Sequence, residues 1–201
     1  MKKTPLYQQL DYGLNFINIS NITPFTKVHG PKDRMSIWVQ GCLQNCPGCI
    51  NPQTHSMEVN ELYKVSDLVT GINNTRNHIQ GITWQGGEPF LQASAIANII
   101  KQTKELNLSQ IMFTGYTLSF LKKQNNQDIN YLLKNIDVLI DGQFKIELLD
   151  KNLIRGSNNQ RIHFLNNNKF QFTENDFQKK GTEETFTFTN DSIQVQTTGI
   201  N

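Results

Sequence analysis

The chain has 201 residues, of which 37% are hydrophobic and 18% charged, with a formal net charge of +2. That length supports one domain with a real apolar core and excludes two large ones. The charge excludes a strong pull toward nucleic acid or an anionic membrane, and no apolar run approaches the ~20 residues of a membrane helix.

Residues 1–13 read as a polar start whose Lys2-Lys3 is not followed by an apolar stretch. This is no secretory signal, so a cytoplasmic location is expected. Asn15 to Ile22 carries Phe16, Ile17, Ile19 and Ile22 and reads as an edge strand. His29-Gly30-Pro31-Lys32-Asp33 reads as a turn. Met35 to Gln40 is rich in β-favouring residues and predicts a strand that runs straight into a cysteine-bearing loop. Ser66 is a candidate N-cap for a helix with Leu68, Val69 and Ile72 at helical spacing. Ile82 to Gln85 predicts the next strand.

After Gly86-Gly87-Glu88-Pro89, the stripe Leu91, Ala95, Ile96, Ile99, Ile100 and Leu106 predicts one long core-facing helix. Gln110 to Phe113 predicts a third strand, ended by Thr114-Gly115. A helical stretch follows with Leu118, Leu121, Leu132 and Leu133, broken by Asn125-Asn126. Asp137 to Ile140 predicts a fourth strand, ended by Asp141-Gly142. The lysine pairs Lys2-Lys3, Lys122-Lys123 and Lys179-Lys180 are scattered and read as solvated surface. Beyond Asn166 the chain turns polar, and Thr185 to Thr189 with Ser192 to Val195, joined by Asn190-Asp191, reads as a hairpin.

Strands alternating with helices predict an α/β fold with a mostly parallel sheet and right-handed crossovers. The expected architecture is a partial (β/α) barrel over residues 1–165, with a C-terminal β-hairpin extension over 166–201. Ligands of such sheets bind at the C-terminal ends of the strands. The cysteine loop (41–50), Gly86-Gly87-Glu88, Thr114-Gly115 and Asp141-Gly142 each follow a strand, so they are expected on one edge.

The three cysteines follow Cys42-x3-Cys46-x2-Cys49. An odd number within eight residues is a poor disulfide framework and a better metal site. Three thiolates on a four-iron cluster leave one iron open to a substrate, and Pro47 and Gly48 let the loop turn tightly. With His55 as a fourth ligand, the same cysteines would make a Cys3His zinc site. The Gly86-Gly87 pair lets main chain approach a ligand closely. Strand-end groups there could hold an amino acid's ammonium, and Glu88 could stabilise that cation or lock the turn. His29 and His163 show no partner in the sequence, and Trp38 and Trp84 read as core residues.

The combination of the cysteine loop with Gly81-Ile82-Thr83-Trp84-Gln85-Gly86-Gly87-Glu88-Pro89-Phe90-Leu91 resembles the radical S-adenosylmethionine (SAM) superfamily. More narrowly, it resembles the activating proteins of anaerobic ribonucleotide reductase, from about residue 14 to about residue 165. Gly30-Pro31-x2-Arg34, the Cys46-Pro47-Gly48-Cys49 form, Phe113-Thr114-Gly115-Tyr116-Thr117, Asp137-Val138-Leu139-Ile140-Asp141-Gly142 and Arg155 to Arg161 carry the likeness. The chain departs from the family with Ile50 where an aromatic residue is usual, and with Lys32-Asp33 where Gly-Thr is usual. Its tail beyond Asn166 has no counterpart there.

The resemblance implies a 4Fe-4S cluster on Cys42, Cys46 and Cys49, with SAM chelating the open iron. It implies cofactor-binding roles for Gly48, Ile50, Gly86, Gly87, Glu88, Thr114, Gly115 and Asp141. A flavodoxin or ferredoxin would supply one electron, SAM would be cleaved to a 5′-deoxyadenosyl radical, and that radical would take a hydrogen atom from a glycine of a large partner enzyme. No general acid or base is required, and no acid–base pair is named. Two other readings stand beside this one: a radical SAM enzyme modifying a peptide or small molecule directly, and a non-catalytic zinc-binding module.

Overall fold

A computed structural model describes residues 12–166, 168–178, 183–189 and 192–198. Seven strands form one open mixed sheet in the order β3-β1-β2-β4-β5-β6-β7. β2 (Arg34–Val39), β4 (Gly81–Gly86), β5 (Ser109–Thr114) and β6 (Val138–Asp141) are mutually parallel and form its centre. β1 (Phe16–Thr26), β3 (Glu61–Lys64) and β7 (Arg161–Phe164) join antiparallel.

β1 is not the edge strand expected from Asn15–Ile22: it pairs with β2 on one side and β3 on the other. β3 reaches only from Phe16 to Ile19 of β1. Beyond that point β3 no longer pairs with β1, and the register of β1 against β2 breaks between Thr23 and Thr26. Pro24, which has no N–H to give to a ladder, sits inside that break.

Alternation along the strands sorts side chains onto two faces. Ile37, Ile82, Trp84, Met112 and Leu139 meet Leu68, Ile72, Ile96, Ile99, Leu121, Ile129 and Leu132 in one core, so α1 (Val65–Thr75), α2 (Ala93–Gln102), α3 (Leu118–Lys122) and α4 (Gln127–Asn135) all cover the same face. On the other face Ile111, Val138 and Ile140 form a smaller core with Leu153, Phe172 and Phe177.

Two expected helix features differ, and a third is found as expected. α1 begins at Val65, one residue before the expected cap at Ser66, and no side chain caps it. The long helix after Pro89 is instead a 3₁₀ turn (Pro89–Gln92) followed by α2, because Glu88 accepts from the Phe90 N–H and tightens the first turn. The polar break at Asn125-Asn126 divides two helices: Asn125 takes a left-handed φ of 48°, and the Asn126 side chain caps α4 through the Asp128 and Ile129 N–H groups.

β8 (Glu183–Thr189) and β9 (Ser192–Thr198) pair antiparallel in a separate two-stranded sheet. The polar start up to residue 11 and the Asn190-Asp191 connection lie outside the described residues.

Candidate metal and cofactor site

The face of the parallel strands away from the helices borders a cavity of about 530 Å³. Cys42, Cys46 and Cys49 all line it, together with Ile50, His55, Gly86, Gly87, Glu88, Thr114 and Gly115. The ends of β2, β4 and β5 therefore deliver the cysteine loop, the glycine pair and Thr114-Gly115 to one place.

The loop is anchored before it reaches the thiols. Gly41, with φ 97°, donates its N–H to the Thr54 carbonyl at 2.9 Å, and the Cys42 N–H reaches the His55 carbonyl at 3.3 Å. Buried Gln40 holds the Gln53 carbonyl within the same short 3₁₀ turn, Pro52–His55, and the Ser56 carbonyl just after it. The loop then folds on itself through a Cys49 N–H to Cys46 carbonyl bond.

The glycine pair is bonded to this loop. The Gly87 N–H donates to the Val39 carbonyl and the Glu88 N–H to the Gly41 carbonyl, both at 2.8 Å. These N–H groups are spent inside the protein, and a ligand's ammonium, itself a donor, would be met at this turn by carbonyls. The need for glycine here is also internal. A methyl group on Gly87 would stand 2.3 Å from the Gly41 carbonyl oxygen, and one on Gly86, whose φ is 99°, would stand 2.7 Å from Trp38. Gly-Gly permits the strand ends to close on each other, which brings both motifs to the cavity wall.

Glu88 is 1% exposed and takes the second of its two expected roles, locking the turn. One carboxylate oxygen accepts from the Phe90 N–H at 3.1 Å and the Thr114 hydroxyl at 2.8 Å; the other accepts from the Gly115 N–H at 2.8 Å. Burial pushes its carboxyl up to about 7, although the Gly115, Phe90 and Thr114 donors favour the ionised form. Thr114-Gly115 thus joins the end of β5 to the turn after β4.

Asp141 lies apart from this group. It lines a neighbouring cavity, accepts from the Leu118 N–H at 2.6 Å and stands 3.0 Å from His163 Nε2. Its place at a strand end is as expected, but its carboxylate is turned to the start of α3, and His163 lies beside it, a proximity invisible in the sequence. Gly48, with φ 69°, packs against Ile146, where a methyl group would meet the Ile146 Cβ at 3.0 Å. Ile50 is 64% exposed at the mouth.

Sequence reasoning missed four contributors. Trp38 lines the cavity rather than the core, with His29 edge-on to it at 4.8 Å; Trp84 alone of the two tryptophans is fully buried. Gln85 reaches the cavity wall and holds Ser36. Gln160 donates to the Gly142 carbonyl and fixes the far rim. The signal for Trp38 and Gln85 was strand alternation: Ile37 and Trp84 face the helices, so their neighbours face the other way. Arg155 belongs to a loop network: it donates to Asp150, the Gln160 carbonyl and Asn158.

The donor set fits a cluster: three thiols from one loop share one cavity wall, and three thiolates on a four-iron cluster leave one iron open. Burial pushes the Cys42 thiol up to about 12, and the charges of Glu88, Cys46 and Cys49 push the same way. Burial also raises Cys49. Such thiols wait for a cationic centre, which reverses the balance by binding the thiolate and releasing its proton.

Comparison with known proteins agrees with this chemistry. Residues 28–163 match the model of a family described as a 4Fe-4S single cluster domain. The chain is similar to the anaerobic ribonucleoside-triphosphate reductase-activating protein of Salmonella typhi, 34% identical over 151 residues that cover 71% of this chain and 95% of that protein. It is 35% identical to the one of Vibrio cholerae over 73% of this chain and 97% of that protein. It is 32% identical to the one of Enterobacteria phage T4 over 73% and 93%. With a single-cluster match over more than half its length and relatives matched almost end to end, the chain belongs to the family of anaerobic ribonucleoside-triphosphate reductase-activating proteins.

Proposed function

We infer that the chain is a radical SAM activase that installs a glycyl radical in an anaerobic ribonucleotide reductase. The observation that carries this reading is the meeting of three thiols, the Gly86-Gly87-Glu88 turn and Thr114-Gly115 around one cavity. Cys42, Cys46 and Cys49 would hold three irons of a 4Fe-4S cluster and leave the fourth for the amino and carboxylate groups of SAM. When bound, the pair supplies one-electron cleavage of the C5′–S bond, giving methionine and a 5′-deoxyadenosyl radical able to take hydrogen from a glycine Cα.

The chain's own residues position and protect. The turn after β4 offers carbonyls to the ammonium of SAM while Glu88 keeps that turn shut against β5. Trp38, Phe113, Phe144 and Ile154 supply apolar wall that excludes water from a reactive species. No side chain is asked to move a proton. A flavodoxin or ferredoxin is the proposed electron donor, and the cytoplasm the proposed location; no helix among the described residues is long and apolar enough to cross a membrane.

The test is anaerobic reconstitution with iron and sulfide, then SAM and dithionite. About four irons per chain, 5′-deoxyadenosine, and an electron-paramagnetic-resonance doublet on added reductase are expected. Release of an altered small product with no doublet would instead favour direct modification of a peptide or small molecule.

A further inference from the structure

A second cavity, about 760 Å³, opens beside the thiol-lined one. The two share Gly142, whose backbone is fixed from both sides: its N–H donates to the Tyr116 carbonyl, and its carbonyl accepts from Gln160. The second cavity is lined by Lys122, Lys123 and Arg161, all exposed. None of the three is in an ion pair among the described residues. The acid in the same cavity, Asp141, accepts from the Leu118 N–H and lies 3.0 Å from His163 Nε2. Three cations against one occupied carboxylate leave this wall positive, on a molecule whose net charge is only +2. The Lys122-Lys123 pair, which the sequence offers as plain solvated surface, is therefore the rim of a groove. Its distance from other cationic pairs along the chain hides this, because Arg161 arrives from β7.

We propose that this groove docks an acidic segment of the protein substrate, adjacent to the residue that enters the thiol-lined cavity. The proposal rests on the activase reading above. A protein substrate must present one backbone carbon inside the first cavity, so its chain must leave across a rim. The rim at Gly142 opens onto the cationic wall, and carboxylates there would find three unpaired cations of opposite charge. Contacts of this exposed kind act on encounter and register, and they weaken with salt.

The experiment uses the reconstituted full-length enzyme and its cognate anaerobic ribonucleotide reductase, with Lys122→Gln/Lys123→Gln/Arg161→Gln combined in one variant. Two quantities are read: 5′-deoxyadenosine formed with SAM and dithionite alone, and the KM for reductase in glycyl-radical formation. The expected result is a KM raised about tenfold with the reductase-free rate unchanged, and a wild-type KM that climbs with sodium chloride while the variant's does not. The charge-keeping variant Lys122→Arg/Lys123→Arg/Arg161→Lys should restore the wild-type KM.

An unchanged KM and salt response in the glutamine variant would overturn the proposal. So would a reductase-free rate that falls with the substitutions, which would place the groove in the SAM site. Inhibition by inorganic phosphate beyond that of sodium chloride at equal ionic strength would also overturn it, marking a small-anion site. Failure of the wild-type enzyme itself to form 5′-deoxyadenosine would instead sink the underlying activase reading.

Discussion

Arg34 is fully buried at the start of β2, and its guanidinium donates to the Thr83 and Ser109 hydroxyls and to the Pro31, Ile82 and Ser109 carbonyls. Burial pushes it down to about 9, which leaves it charged at neutral pH, and Asp137 favours the charge. The planar fork joins the starts of three parallel strands, and Gly81 is the space it needs: a methyl group there would lie 2.5 Å from the guanidinium nitrogens. Arg34→Met leaves those carbonyls buried without donors and should cost at least about 3 kcal/mol in urea unfolding of the apo-protein. Lysine cannot span the same acceptors and should not rescue it. Glu88→Gln keeps one acceptor oxygen but turns an amide N–H₂ toward the Gly115 N–H or the Thr114–Phe90 pair. It should lose about 1–3 kcal/mol and reduce SAM cleavage even in protein that retains its iron. At Asp137, burial pushes the carboxyl up to about 6 from an ordinary 3.8. The folded state therefore holds this proton more tightly than the unfolded chain. The contribution is fully present below about pH 4 and is lost as pH rises through about 6. Asn at position 137 cannot titrate, so the stability of wild type relative to Asp137→Asn should fall across that window in urea midpoints taken pH by pH.

At the scale of elements, the break between α3 and α4 shows how local chemistry governs a junction. Asn125 supplies the left-handed turn, and Asn126 satisfies two N–H groups at the start of α4. Asn126→Ala should lower stability by about 1 kcal/mol, read as a shift in thermal midpoint with iron content unchanged, because α4 packs on the covered face of the sheet. That junction was readable from the sequence because Asn carries its own capping chemistry. The central strands were readable for a similar reason: apolar, β-favouring runs end in glycine or polar turns. β3 and β7 were not. Glu61, Leu62 and Lys64 are exposed, as are Arg161 and Phe164, so neither strand has a buried face to leave a period in the sequence. Each exists because a neighbour offers an open ladder, β1 to one and β6 to the other. The site was legible to the same degree. Cysteine spacing and the glycine pair announce themselves, and alternation places Trp38, whereas His29 and Gln160 reach the cavity only through strand order and loop return.

For the whole molecule, the question is which part of the chain the chemistry needs. The cysteine loop, the turn after β4, Thr114-Gly115 and the fixed Gly142 all precede residue 161, and relatives of this family are matched over 93–97% of their own length by 71–73% of this chain. The fold does not stop at the last of these motifs, however. Phe172 and Phe177 are buried against Ile111, Val138 and Ile140, beneath the strands that carry the site, and the Ile154 N–H donates to the Phe177 carbonyl. Loss of Phe177 would expose a core of which two strands are part; loss of residues beyond Gln178 would remove none of these contacts. A chain ending at Gln178 should therefore reconstitute about four irons and form 5′-deoxyadenosine at the full-length rate. A chain ending at Asn166 should unfold at lower urea and lose iron. Iron analysis and urea midpoints on the two truncations separate these outcomes. Equal behaviour of the two would mean that the Phe172–Phe177 packing does not support the sheet, while loss of iron from the longer one would place part of the site in the β8–β9 hairpin.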